Sequence, residues 1–204
     1  MITLYTDATP NGRRVSIMLE EVGLPYQVRK ISLDKGEHRY PDYLKINPAG
    51  QIPTIMDTDV DDSGALILSQ TAAILIYLAE KTGRLICKPS LDRARMWEWL
   101  ALDATDISST RFNAFLLSLR IGDSMKEGVE LLRERAMLFY RLMDARLTET
   151  QYLAGNKISI ADISAYPWAA SMEHPNMQSL ENLQRWMKVM GRRPAVQHGM
   201  TIPE

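Results

Sequence analysis

The sequence predicts an α/β half followed by an all-helical half, and three observations carry that reading. A strand-like run, a helix with a proline start and a second strand fill roughly the first thirty residues. Two further strand-like runs then lead into an apolar helix that stops at Gly83. Beyond residue 90 every periodic segment repeats at the helical spacing. A chain of 204 residues accommodates two domains of about a hundred residues each.

Residues 2–6 alternate and are β-rich, which predicts a strand. Thr9-Pro10 reads as a helix start, with Thr as N-cap and Pro at the first position, where its missing donor costs nothing. Val15, Met18, Leu19 and Val22 supply the helical period, and Gly23 the stop. Residues 26–31 make a second strand, parallel to the first through a right-handed crossover. Residues 34–45 are polar, with Gly36 and Pro41, and predict a loop holding at most a short helix. Residues 52–56 and 65–68 predict strands three and four, a hairpin around an acidic turn at 57–64. Residues 70–81 predict a buried helix.

The first domain is therefore placed at residues 1–83, a linker at 84–90 and a helical domain at 91–204. Residues 91–119 predict one long helix with Trp97, Leu100 and Ala104 on a face. Residues 126–147 repeat the pattern with Leu131, Leu138 and Leu142. Ser159 followed by Asp162 is a variant capping box, and residues 180–190 a last helix stopped by Gly191 and Pro194.

Composition excludes several function classes. A formal net charge of −1 argues against nucleic acid as the main partner. The single cysteine, Cys87, excludes an internal disulfide framework and a paired redox motif, and fits a reducing cytosol. Asp7, Arg13 and Arg14 interrupt the start before a leader-like apolar run develops. The longest apolar run, 72–79, is far short of the ~18 residues of a membrane span. A soluble, cytoplasmic protein without a membrane partner is expected. His38, His174 and His198 show no metal-ligand spacing, so no metal is expected. No nucleophile elbow, P-loop or dinucleotide fingerprint is present.

The chain is organised around residues 47–55, Asn-Pro-Ala-Gly-Gln-Ile-Pro-Thr-Ile. Pro53 has no N–H where a strand wants one, so this is an edge, a bulge or a cis turn. Taken locally, an ordinary trans loop proline is the simpler reading, because cis bonds are a small minority.

The order of motifs resembles the glutathione transferase family over essentially the whole chain. Residues 47–53 look like the family's entry to strand three, with Pro53 as its cis proline. Gln70-Thr71 followed by Tyr77-Leu78-Ala79 looks like the pair opening its third helix, and residues 159–162 like the cap of its buried helix. The resemblance implies a thioredoxin-like first domain, a helical second domain and a homodimer. Thr9-Pro10-Asn11-Gly12 is similar to the bacterial Nu class, whose members bind glutathione and reduce disulfides with it.

The resemblance also implies roles. The loop after strand one carries no sulfur, so the thiol arrives with glutathione as substrate. Lowering a thiol pKa of ~8.5 by about two units needs roughly 2.7 kcal/mol. A hydrogen bond to a charged group supplies about 1.5–3 kcal/mol and a helix N-terminus about 0.3–1, so one or two donors suffice. Thr9 and Asn11 are the expected catalytic donors, with Tyr5 as the rival. Gln70 and Thr71 would meet the γ-glutamyl end, Gln51, Ile52 and Pro53 the cysteinyl backbone, and His38 the glycyl end. Relatives often carry Glu where Gln70 stands. The second substrate would be an electrophile or a disulfide. The competing reading is a non-catalytic protein of the same fold that serves as a binding or scaffold module.

Overall fold

Every second residue of the strand Ile2–Thr6 (β1) is buried, and β1 lies inside a four-stranded sheet. Its partners are Tyr26–Lys30 (β2), Thr54–Asp57 (β3) and Leu66–Ser69 (β4), in the order β2-β1-β3-β4. The β1–β2 pair is parallel and the other two pairs are antiparallel. The computed structural model describes residues 1–60, 64–88 and 91–204. Residues 61–63 of the expected acidic turn and 89–90 of the expected linker lie outside these.

Two units divide the chain: Met1–Ile86 together with Gly191–Glu204, and Cys87–Met190. The sequence reading assigned residues 91–204 whole to the helical domain. The last fourteen residues instead return to the first unit, for a packing reason. The helix Pro10–Val22 (α1) takes the short C-terminal helix Pro194–Gly199 against its side. A Cβ at Gly199 would fall 2.6 Å from Ile17 Cα, so only glycine permits this approach. The Ser16 hydroxyl donates to the Gly199 carbonyl at 2.7 Å, and Arg193 forms a two-pronged ion pair with Glu21. Pro194, expected to lie beyond the last helix, opens this one.

In the first unit α1 is as expected: Val15, Met18 and Leu19 are fully buried, and Gly23 closes it at φ 70°. The polar stretch holds a 3-10 turn, Glu37–Arg39, and the short helix Pro41–Ile46 (α2). Strand three begins at Thr54 rather than at 52, because Pro53 has no donor for the ladder and the Ile52–Pro53 bond is cis. The following helix is Thr71–Thr82 (α3), with Gln70 as its cap and not its first turn.

The second unit is helical. Leu91–Leu102 (α4) runs into a widened π segment, Asp103–Ile107, before Ser108–Ile121 (α5). The single long helix expected is thus interrupted, where the buried Asp103 carboxylate accepts from the Ser164 hydroxyl. Next come Lys126–Glu149 (α6), Ile160–Ala170 (α7) and Glu181–Gly191 (α8), whose final residue joins the first unit. Asp162, in the first turn of α7, is fully buried and accepts from the N–H groups of Leu153 and Ser159, the Ser159 hydroxyl and Trp186 Nε1. Burial pushes its carboxyl upward against those four donors.

Leu131, Leu138 and Leu142 were expected to repeat the inward pattern. They are instead 71%, 53% and 53% exposed. The stripe that packs is Val129, Ala136, Met137, Tyr140, Met143 and Leu147. Small Ala136 and adaptable Met137 and Met143 are fully buried on that stripe, which leaves the leucines on the outer face. No described helix is long and apolar enough to cross a membrane.

Candidate functional site

Sheet register assembles the site. Tyr5 pairs with Thr54, and Thr54 in turn with Ser69. The C-terminal end of β1, the N-terminal end of β3 and the C-terminal end of β4 therefore share one end of the sheet. Neighbouring strands are ~4.8 Å apart, so segments 6–11, 51–53 and 70–71 begin within about 10 Å of each other. All the expected site residues except His38 lie on these three segments.

Thr9 caps α1: its Oγ1 accepts from the Gly12 N–H at 3.0 Å, which leaves the hydroxyl proton to be given elsewhere. Gly12 is required sterically, since a Cβ there would fall 2.3 Å from the Asp7 carbonyl and from Thr6 Oγ1. That contact also shows Thr6 facing α1, and successive strand side chains point oppositely. Tyr5 therefore faces the other side of the sheet, where its ring lies 6.2 Å from that of Tyr43 on α2. Structure and sequence thus separate the two rival donors: Asn11 belongs to the first turn of α1, Tyr5 to the opposite face.

Arg14 ties two of the expected residues together. It is 1% exposed, and its Nη1 donates to Asn11 Oδ1 at 3.1 Å and to Thr71 Oγ1 at 3.3 Å. The first turn of α1 contains no acid, and Arg13 closes it with Arg14 next in the chain, cations near the positive end of a helix dipole. At the start of α3 the Gln70 side chain makes no cap, and the first turn again has no acid. The N–H groups of Thr71, Ala72 and Ala73 point out of that helix end. This arrangement does not stabilise itself; it suits an anion. Gln70 is exposed with φ 73° and ψ 115°, a backbone conformation rare outside glycine.

The entry to β3 is fixed from behind. The Gln51 carbonyl accepts from Tyr43 Oη at 2.6 Å and from Asn47 Nδ2 at 2.7 Å. Both donors also lie within hydrogen-bonding range of Thr54 Oγ1. Burial pushes the Tyr43 phenol up, and its contacts with Thr54 and Asn47 oppose this. Among the described residues, neither the N–H nor the carbonyl of Ile52 has a backbone partner. His38 lies on the 3-10 turn whose backbone meets this loop: its carbonyl is 2.8 Å from where a Gly50 Cβ would be, and Arg39 donates to the Ala49 carbonyl. Among the described residues, the buried His38 Nδ1 has no hydrogen-bond partner.

Sequence reasoning missed Arg14, Tyr43 and Asn47 as site-building residues. The signal for Arg14 was present, as two adjacent arginines near a helix start where the dipole disfavours them. For Tyr43 no local signal existed.

The chain spacing showed no metal ligands, yet folding brings Glu130, Glu134 and His174 within 4.8 Å of one another. His174 Nδ1 accepts from the Asn176 N–H, so the neutral ring carries its proton on Nε2 and gives it to Glu134. Cys87 is half-buried, and burial together with Asp92 pushes its thiol up, so it is a poor nucleophile.

The glutathione S-transferase N-terminal domain matches residues 8–81, and the glutathione S-transferase C-terminal domain matches residues 107–194. The chain is 31% identical to the disulfide-bond oxidoreductase YfcG of Escherichia coli, over 96% of this chain and 92% of that protein. It is similar to a Pseudomonas putida glutathione transferase solved with one glutathione disulfide per subunit, with TM-score 0.89 and 29% identity over 100% of this chain and 92% of that one. A Burkholderia graminis glutathione transferase solved with two glutathione molecules per subunit gives TM-score 0.90 and 30% identity, over 100% of this chain and 88% of that one. The fold, the motif order and these likenesses agree: the chain belongs to the glutathione S-transferase family.

Proposed function

We propose that this chain is a glutathione-dependent disulfide reductase that binds and activates the glutathione thiol in its first unit. The observation that carries the reading is the convergence of two helix N-termini, a buried arginine and the free Ile52 backbone at one end of the sheet. Asn11 and Thr9 donate to the sulfur at the start of α1. Thr71, Gln70 and the open N–H groups of α3 take the γ-glutamyl carboxylate. Gln51 and Ile52 align the cysteinyl backbone beside Pro53, and His38 offers a donor toward the glycyl end.

The protein places no cysteine in this loop, so both sulfurs that exchange belong to substrates. The bound thiolate attacks one sulfur of a disulfide; a new S–S bond forms, the old one breaks, and a thiolate leaves. A second glutathione thiolate then attacks the mixed disulfide, releasing the second thiol and glutathione disulfide. In sum, two glutathiones are oxidised and one disulfide is reduced. The relatives solved with glutathione disulfide or with two glutathiones favour this reaction over conjugation to an electrophile.

The exposed leucines of α6, with Phe115 and Leu119 on α5, leave an apolar face that a second copy would cover, and we infer a homodimer. Sedimentation giving a monomer at micromolar concentration would remove that part. The first unit, the second and the segment around residue 86 are taken as the domain plan. The reaction draws on a reduced glutathione pool, which fits a cytoplasmic setting with one unpaired cysteine. The activity test is turnover of hydroxyethyl disulfide with glutathione. Glutathione binding without turnover on either a disulfide or a generic electrophile would favour the scaffold reading, which Gln70 in place of an acid supports.

A further inference from the structure

We propose that Arg14 is the positioning residue of this site: its buried guanidinium holds the Asn11 amide and the Thr71 hydroxyl in the orientations that receive the sulfur and the γ-glutamyl carboxylate of glutathione. The inference rests on the glutathione-binding reading above and adds to it a link between the sites for the thiolate and for the γ-glutamyl carboxylate.

The geometry is specific. Nη1 carries two protons and gives one to Asn11 Oδ1 and one to Thr71 Oγ1, residues on different helices sixty positions apart in sequence. Once Oδ1 accepts from Arg14, the Nδ2 edge of the Asn11 amide is turned away from the guanidinium. Once Thr71 Oγ1 accepts, its own proton must be given to something else. One group therefore sets the sense of two hydrogen bonds. Arginine suits the task because its planar fork keeps fixed donor directions and stays charged when buried. Arg13 and Arg14, close to the start of α1, oppose the helix dipole, an arrangement that a bound anion relieves.

The test uses the full-length protein and measures the thiol pKa of bound glutathione by thiolate absorbance, together with the affinity for S-methylglutathione. Wild type must first bind glutathione with a lowered thiol pKa; if it does not, the proposed function itself fails and this inference with it. In Arg14→Met the thiolate fraction should fall about tenfold, the worth of one lost charged hydrogen bond. S-methylglutathione affinity should fall severalfold, because the Thr71 end is also released. Arg14→Lys, which keeps the charge, should recover only part of both.

The discriminating arm is a double-mutant cycle with Asn11→Ala. Positioning predicts that Arg14→Met adds little to the thiol pKa once Asn11 is gone. Full additivity, or a wild-type thiol pKa in folded Arg14→Met, would overturn the proposal. One readout needs no variant, should Arg14→Met fail to fold. In wild type the ¹⁵N side-chain resonances of Arg14 should shift when glutathione binds, and no shift would overturn the proposal equally.

Discussion

Tyr43 Oη lies 2.6 Å from the Gln51 carbonyl and 3.1 Å from Thr54 Oγ1, so one phenol on α2 holds both sides of the cis Pro53. Asn47 duplicates both contacts from the other direction. Ile52, proposed above to align the cysteinyl backbone of glutathione, is thus flanked by two anchored neighbours, Gln51 and Thr54. Tyr43→Phe removes a buried donor from a carbonyl that keeps Asn47. A stability loss of about 1 kcal/mol follows, with a severalfold rise in KM for glutathione and a smaller change in kcat. Thermal melting and steady-state kinetics check this pair of effects.

Asn11 and Tyr5 differ in the face they occupy, and this separates the two accounts of thiol activation. Asn11→Ala should lower kcat/KM for disulfide reduction roughly 10–100-fold, the equivalent of one hydrogen bond to an anion at about 1.5–3 kcal/mol. Tyr5→Phe should leave it within about twofold, because the ring packs on Tyr43 across the sheet from α1. The reverse ranking in a side-by-side assay would move the reaction to Tyr5.

Gln70 holds φ 73° without being glycine, at the mouth of α3. Gln70→Gly should raise stability by up to about 1 kcal/mol by relieving the backbone, yet weaken glutathione binding by removing an acceptor for the ligand's ammonium. Gln70→Glu restores a charge opposite that ammonium and should tighten binding severalfold. Calorimetric titration of the two variants beside wild type, with their melting curves, reads both effects.

Asp57 is fully buried at the end of β3, where burial raises its carboxyl. The Asp59 N–H, Lys81 at 2.9 Å and the Tyr77 hydroxyl at 2.8 Å outweigh that, so its pKa lies below the ordinary value. A folded pKa below the unfolded ~3.9 means the stabilisation is complete above that value and is lost as pH falls through the folded one. Asp57→Asn should cost about 1.5–3 kcal/mol at neutral pH, and its stability curve should converge on wild type in strong acid. Melting temperatures between neutral pH and pH 2 test the convergence.

Much of the fold was legible because local chemistry and tertiary structure agree. Thr9-Pro10 started α1 and Gly23 ended it, and Asp162 did reach back to the Ser159 N–H. Two kinds of fact were not legible. Leu131, Leu138 and Leu142 form as good a helical stripe as the one that packs, and only the neighbour chosen by α6 decides between them. The return of the tail depended on Gly199 meeting Ile17, a contact with no local signature. Near the proposed site, Thr9 as the cap of α1 and the break in the strand at Pro53 were readable from cap and proline rules, whereas a role for Asn11 came only from the resemblance to the family. The Arg14 bridge was not readable, since it needs α1 and α3 in place before its two acceptors exist.

The most direct test of the central claim is calorimetric titration with reduced glutathione and with glutathione disulfide, on wild type and Asn11→Ala in parallel. The account predicts saturable binding of both forms at one site per chain, with the thiol of the reduced form ionising below its free value only when Asn11 is present. Absence of binding by either form, or an unshifted thiol pKa in the wild-type complex, would contradict it.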